Sequence, residues 1–238
     1  MDFFVKSFLL HRGYVIILLL HAIAFCAIIK LSNTKEIIMS YFTYETKDST
    51  EVLEEFEWDN VWWEHTENKT ARRILYIGDS ISCGTMRRVT RLSREEILCD
   101  NFATSKALDN PYFKPSIELC LRQQSKCDAI LFNNGLHGFH LSDAEYEKHY
   151  EDMLLFLLKA EKPLYVVLTT NDINNEKRGD AVKRRNLIAQ RLAAKHGLPI
   201  IDLYTVSVNH PEHYSDDGVH LNSNGYDLLA ECILEKLG

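Results

Sequence analysis

Hydrophobic positions change their rhythm three times along the chain. From position 14 to 31 the residues read YVIILLLHAIAFCAIIKL, an apolar stretch broken only by His21 and Lys30. As a helix rising ~1.5 Å per residue, the uncharged run 14–29 would span ~24 Å. That is a little short of a ~30 Å bilayer core unless Lys30 snorkels to the interface. The pattern predicts an N-terminal region 1–38 with one transmembrane helix at about 14–31, and hence a single-pass membrane protein. Lys6 and Arg12 precede the run and Lys30 and Lys35 follow it, so the flanking charges are nearly tied. The reading adopted places the N-terminus inside and the following domain outside the cytoplasm. Two alternatives stand beside it: a cleaved signal peptide, and a soluble cytoplasmic protein begun at Met39.

Positions 39–70 then lose regular periodicity and read as an acidic connector carrying Trp58, Trp62 and Trp63. A flexible tether has little use for three indoles, so these rings are expected to fold back onto the main domain; a ligand-stacking platform is the alternative. Asn68-Lys69-Thr70 forms a glycosylation triplet, informative only if this segment reaches a secretory lumen.

Beyond 71 the rhythm becomes regular. Apolar runs of strand length at 74–78, 97–102, 129–133, 164–169 and 198–203 alternate with amphipathic stretches near 85–94, 113–124, 143–160, 180–196 and 222–237. Tyr146, Tyr150, Met153, Leu154, Leu157 and Leu158 keep the spacing of one helix face. Strands that are continuously apolar and separated by helices predict a parallel sheet buried on both faces. The expectation is an α/β domain over 71–238, a three-layer α/β/α sandwich on a five-stranded parallel sheet.

Composition narrows the class. Lys and Arg number 27 against 34 Asp and Glu, a net charge of −7, which argues against nucleic acid as partner. Hydrophobic residues make up 46% of the chain, enough for a packed core. The six Cys form no C-x-x-C pair and read as free thiols. Oligomeric state has no signature in the sequence.

In open α/β sheets, chemistry gathers beyond the carboxyl ends of the strands. Read in order, those ends give Gly78-Asp79-Ser80-Ile81-Ser82, Asn101-Phe102-Ala103-Thr104-Ser105, Asn133-Asn134-Gly135-Leu136-His137 and Asp202. Asp216-Asp217-Gly218-Val219-His220 precedes the last helix. A hydroxyl, amide side chains and a carboxylate three residues from an imidazole thus share one rim, an inventory for nucleophilic acyl transfer. Each has a bland reading as well: Ser80 as a helix cap, Asp217 as a turn residue before Gly218.

Gly78-Asp79-Ser80 after an apolar strand, the Asn loop after the third strand, and Asp217-Gly218-Val219-His220 before the final helix together resemble the SGNH or GDSL hydrolases. The resemblance covers about 74–230 and implies a flavodoxin-like fold and ester hydrolysis, often on acylated sugars or lipids. It implies Ser80 as nucleophile, His220 as general base and Asp217 as the group that orients it. It further implies an oxyanion hole from the amides of Ser80 and Ala103 and the side chain of Asn134, with Asn133 in reserve. Asp79 and His137 are expected to contact substrate. Two departures stand out: Ala103 occupies a place usually held by Gly, and the usual G-x-N-D appears as Phe132-Asn133-Asn134-Gly135.

Ser hydrolysis of a short acyl ester, acetyl on a saccharide foremost, is the leading expectation. Acyl transfer to a sugar through the same acyl-Ser80 is the second, and an inactive carbohydrate-binding module on this fold the third. Nucleotide binding is disfavoured, since Gly78–Gly84 lacks the phosphate-cradling Lys-Ser/Thr. No cofactor and no metal are expected, although His137 with His140, and His210 with His213, carry ligand-like spacing. Cys83 reads as a packing residue, and Arg87, Arg88, Arg91 and Arg94 as the solvated face of the first helix.

Overall fold

The computed structural model describes residues 56–238. The expected transmembrane helix at 14–31 and the alternative start at Met39 lie outside the described residues. Among those described, no helix is long and apolar enough to cross a membrane.

Six strands and six helices follow one another: β1 (Asp59–Trp62), β2 (Arg72–Gly78), α1 (Ser80–Leu92), β3 (Ile97–Thr104), α2 (Phe113–Gln123), β4 (Ala129–Phe132), α3 (Asp143–Leu158), β5 (Leu164–Leu168), α4 (Glu176–His196), β6 (Ile200–Asp202), α5 (Leu203–Val208) and α6 (Ser223–Leu237). They form one sheet in the order β1-β3-β2-β4-β5-β6. The five strands from β2 onward are parallel. Their order is the flavodoxin-like 2-1-3-4-5.

The strands bury opposite faces at every second residue. Leu75 and Ile77 of β2 join a core with Phe113, Ile117, Tyr150, Leu154 and Leu192, so α2, α3 and α4 cover that face. Ile74 and Tyr76 join Met86, Val89, Leu229 and Ile233 on the other, under α1 and α6. The three layers are those the periodicity predicts.

The sheet itself departs from the expectation of five parallel strands. β1 adds a sixth, antiparallel to β3, with Asp59 opposite Thr104 and Trp62 opposite Asn101. Four exposed residues at a sheet edge carry no alternating pattern, so nothing in their hydropathy announces a strand. The acidic connector therefore contributes residues 59–62 to the sheet. Buried Arg73 anchors the segment after β1: its Nη1 donates to the Glu64 carbonyl at 2.8 Å and to Asp100 Oδ1 at 2.7 Å. Trp63 packs on the core. Trp62 stays half exposed beneath the Arg87 guanidinium, 3.9 Å from its ring centre.

Candidate active site

β2 sits where the chain order reverses: β3 pairs on one side of it and β4 on the other. The segment after β2 turns into α1 on one face, while that after β4 leads to α3 on the opposite face. The two segments thus diverge at the carboxyl end of the sheet, the switch point at which such folds bind ligands. Ser80 stands at the end of β2 and Asn134 just past the end of β4.

Ser80 is the first residue of α1. The cap is Asp79, whose Oδ1 accepts the Ile81 amide at 2.9 Å. Ser80 is thus freed from capping, and its own N–H belongs to the first turn, which has no intrahelical acceptor. Its Oγ lies 2.8 Å from His220 Nε2. On the far side of the ring, His220 Nδ1 lies 2.6 Å from Asp217 Oδ2. Asp217 Oδ1 accepts the backbone amides of Val219 at 3.0 Å and His220 at 2.9 Å. The hydrogen bond from the imidazole is the main cause that lowers the Asp217 pKa to about 2, the two amides adding to it. Both side chains are about half exposed.

The loop bearing this pair is pinned at several points. Gly218 takes φ +73°, the left-handed region, and packs so tightly on Asn174 that a Cβ would fall 2.4 Å from its side chain. Its carbonyl accepts the Ile173 amide at 2.9 Å, and Ser215 N donates to the His220 carbonyl at 2.8 Å. The loop is thereby held against the segment that follows β5. Asp216 offers its backbone carbonyl to Asn174 Nδ2 at 2.8 Å; the carboxylate that meets the ring is that of Asp217.

The two candidate amides are each tied to one backbone carbonyl. Asn133 Nδ2 donates one hydrogen to the Val167 carbonyl of β5 at 3.0 Å. Asn134 is buried, its backbone carbonyl accepting from Tyr146 Oη at 2.5 Å and one Nδ2 hydrogen going to the Lys106 carbonyl at 3.0 Å. A primary amide has a second hydrogen, so each of the two keeps a donor in hand.

Ala103 and Asp79 are corrected. Ala103 lies inside β3, paired with Asn60 on one side and Gly78 on the other. Ser105 N donates to the Trp58 carbonyl, toward the β1 side. Amides two residues apart in a strand point the same way. The Ala103 N–H therefore faces β1, away from Ser80, and is no oxyanion donor. Asp79 is 1% exposed, so it caps α1 from within and does not present itself to a substrate. Burial raises its pKa, while His137, the Ile81 amide and His220 pull it back down. His137 is thus close enough to act on Asp79 electrostatically.

Arg185 of α4, 2% exposed, escapes any reading of the sequence. Its Nη1 donates to the carbonyls of Gly135 at 2.9 Å and His137 at 2.6 Å, and its Nη2 to that of Gly138 at 2.6 Å. The guanidinium also packs on the Tyr146 ring, 4.6 Å away. One buried cation thus shapes the whole loop behind Asn134. Arg185→Met should strip three carbonyls of their donor and cost ~3 kcal/mol. In a domain of this size that lowers Tm by roughly 6–12 °C. Thermal unfolding checks this; a change of a degree or less would show the loop to be self-supporting.

Other candidates are placed elsewhere. His140 Nε2 pairs with Asp109 Oδ2 at 2.9 Å. Cys83 receives the Asn101 amide at 3.6 Å, and burial raises its thiol pKa, which suits a packing role. Arg88 and Arg91 both engage Asp227 of α6, at 2.9 and 2.7 Å, and so tie α1 to α6.

No protein-family model and no curated protein matches the chain. Solved structures do, and they include SGNH and GDSL hydrolases and acetyl esterases over about 70% of the chain. A member of the lipolytic G-D-S-L family from Veillonella parvula is 21% identical, with a TM-score of 0.58 over 69% of this chain and 97% of its own. An acetylxylan esterase from Geobacillus stearothermophilus is 15% identical, with a TM-score of 0.55 over 72% of this chain and 97% of its own. The C-terminal catalytic domain of peptidoglycan O-acetyltransferase A from Streptococcus pneumoniae is 17% identical, with a TM-score of 0.54 over 70% and 93%. At these identities the likeness shows the fold alone, the α/β fold that these proteins share.

Proposed function

We propose that the chain is a serine esterase that removes a short acyl group, acetyl on a saccharide foremost, through an acyl-Ser80 intermediate. The observation that carries this is the relay from Ser80 Oγ to His220 Nε2 and from His220 Nδ1 to Asp217, at 2.8 and 2.6 Å, set at the switch point of the sheet. His220 Nε2 takes the Ser80 proton as Oγ bonds to the acyl carbon. The oxyanion formed is met by the Ser80 amide and the remaining Nδ2 hydrogen of Asn134, a donor of this kind contributing ~3 kcal/mol. Collapse breaks the ester bond, and the leaving alcohol takes the proton from His220. Water then gives a proton to His220 and attacks the acyl carbon; collapse returns that proton to Ser80 and releases the carboxylic acid, which loses its remaining proton to solvent. Asp217 holds the ring in the tautomer with Nε2 free to accept.

The saccharide part rests on the likeness to an acetylxylan esterase. The likeness to a peptidoglycan O-acetyltransferase supports a second reading, in which a sugar hydroxyl replaces water in the last step. The apolar run 14–31 supports a membrane-anchored protein whose domain faces out of the cytoplasm; protease digestion of intact cells should then degrade it.

The full-length protein should be labelled at Ser80, and at no other serine, by a fluorophosphonate read by peptide mass spectrometry. It should also release acetate from acetylated xylooligosaccharides. An unlabelled Ser80 in folded protein overturns the serine mechanism, and acetyl found on an added sugar acceptor moves the reading to transfer.

A further inference from the structure

The turn that leads into the Asp217–His220 loop gathers three side chains for which acyl transfer has no use. His210, Glu212 and His213 each bring one ligand-type atom to within 4.8 Å of the others. We propose that this turn is a binding site for a divalent transition-metal ion of the zinc class.

The local sequence builds the site. Pro211 opens a 3₁₀ turn over Pro211–His213. With three residues per turn, positions i and i+3 eclipse one another. His210 and His213 have that spacing, and their rings stack at 5.5 Å between centres with planes 19° apart. Glu212 reaches across both: its Oε1 lies 3.2 Å from His210 Nδ1 and 3.7 Å from His213 Nε2. A tetrahedral ion with bonds of about 2.0–2.1 Å holds its donor atoms about 3.3 Å apart. The cluster is therefore within half an ångström of that spacing along both measured edges.

The donor set selects the ion. Two imidazoles and one carboxylate, with a position left for water, suit zinc and its neighbours. Calcium and magnesium need oxygen-rich shells that this turn does not supply. Glu212 is largely exposed, so an ion can enter from solvent.

The site lies at the root of the hairpin that carries Asp217 and His220. Asn222, the cap of α6, donates its amide to the His213 carbonyl at 2.7 Å and its Nδ2 to the Glu212 carbonyl at 3.3 Å. Tyr214 then pairs with Leu221 in an antiparallel bridge. A bound ion would clamp this base and restrict the loop above it.

The test uses full-length protein freed of metal by chelation and titrated calorimetrically with Zn²⁺. One equivalent should bind, Tm should rise with Zn²⁺ concentration, and neither Ca²⁺ nor Mg²⁺ should compete. His210→Ala and Glu212→Gln, both at solvent-accessible side chains, should each weaken binding by roughly tenfold or more. His137→Ala should leave it unchanged, whether or not the esterase reading holds. Absence of stoichiometric binding, or binding undiminished in the double variant of 210 and 212, overturns the site.

Discussion

Ser80→Ala should abolish ester hydrolysis and leave the fold as it is. For a serine nucleophile that acts in concert with a general base, removal of the hydroxyl lowers kcat by on the order of 10⁶. The residual rate is that supplied by binding and by the oxyanion donors, both untouched by the change. The prediction is clean because Ser80 has no second task. Asp79 caps α1, and the Ser80 hydroxyl makes its hydrogen bond to His220. The Ala variant should therefore unfold within ~0.5 kcal/mol of the parent, as a change away from the core does. Initial rates on p-nitrophenyl acetate, paired with thermal unfolding of the same samples, decide the matter. Wild-type turnover in the Ala protein would end the serine mechanism; lost turnover with a collapsed Tm would mean that Ser80 holds the fold.

The layered architecture was legible because its evidence is local. Continuous apolar runs separated by helix-period stretches predict a sheet buried on both faces, and in the structure Leu75 and Ile77 pack on one face, Ile74 and Tyr76 on the other. Element boundaries were less so. The first helix reads as starting near 85, yet it begins at Ser80, because Ser80, Ser82 and Gly84 dilute the periodicity that Ile81, Thr85 and Met86 complete. The edge strand β1 was invisible for a different reason: it is held by backbone pairing to β3, and its own side chains bury little. At the site, Ser80, His220 and Asp217 could be placed since each follows a recognisable strand end or precedes a helix. Ala103 went wrong because strand periodicity does not say which neighbour an amide faces, and that depends on β1. Arg185 had no signal at all. Its partners lie 47 to 50 residues away, and a lone arginine in a long polar helix reads as solvated surface.

His220→Ala should cost far more than Asp217→Asn, and the geometry gives the reason. The imidazole must both take the Ser80 proton and return it to the leaving alcohol, so its removal should lower kcat nearly as far as loss of the nucleophile, on the order of 10⁴–10⁶. Asp217 acts through the ring alone. Asp and His side chains are both about half exposed, 51% and 43%. Water therefore screens the attraction between carboxylate and imidazolium, which a buried pair would feel in full. In Asp217→Asn the side-chain carbonyl can still accept a ring N–H, and the two backbone amides still shape the turn. A loss of roughly 10- to 100-fold is expected, well short of the ~10⁴ seen where the pair is enclosed. The pH dependence has a definite sign. The Asp217 pKa is depressed to about 2, chiefly by the hydrogen bond from His220. Its ionised form thus favours the folded loop above the ordinary carboxylate range, and that contribution is lost only as pH falls toward 2. In the His220→Ala protein the Asp217 carboxyl should titrate at a higher pH, nearer 3.8, because its strongest hydrogen-bond donor is gone. Carboxyl NMR titration of the two proteins measures this directly. An unmoved Asp217 midpoint would show that the ring does not set the carboxylate's ionisation, and an Asp217→Asn variant as inactive as His220→Ala would show that the carboxylate does more than orient the ring.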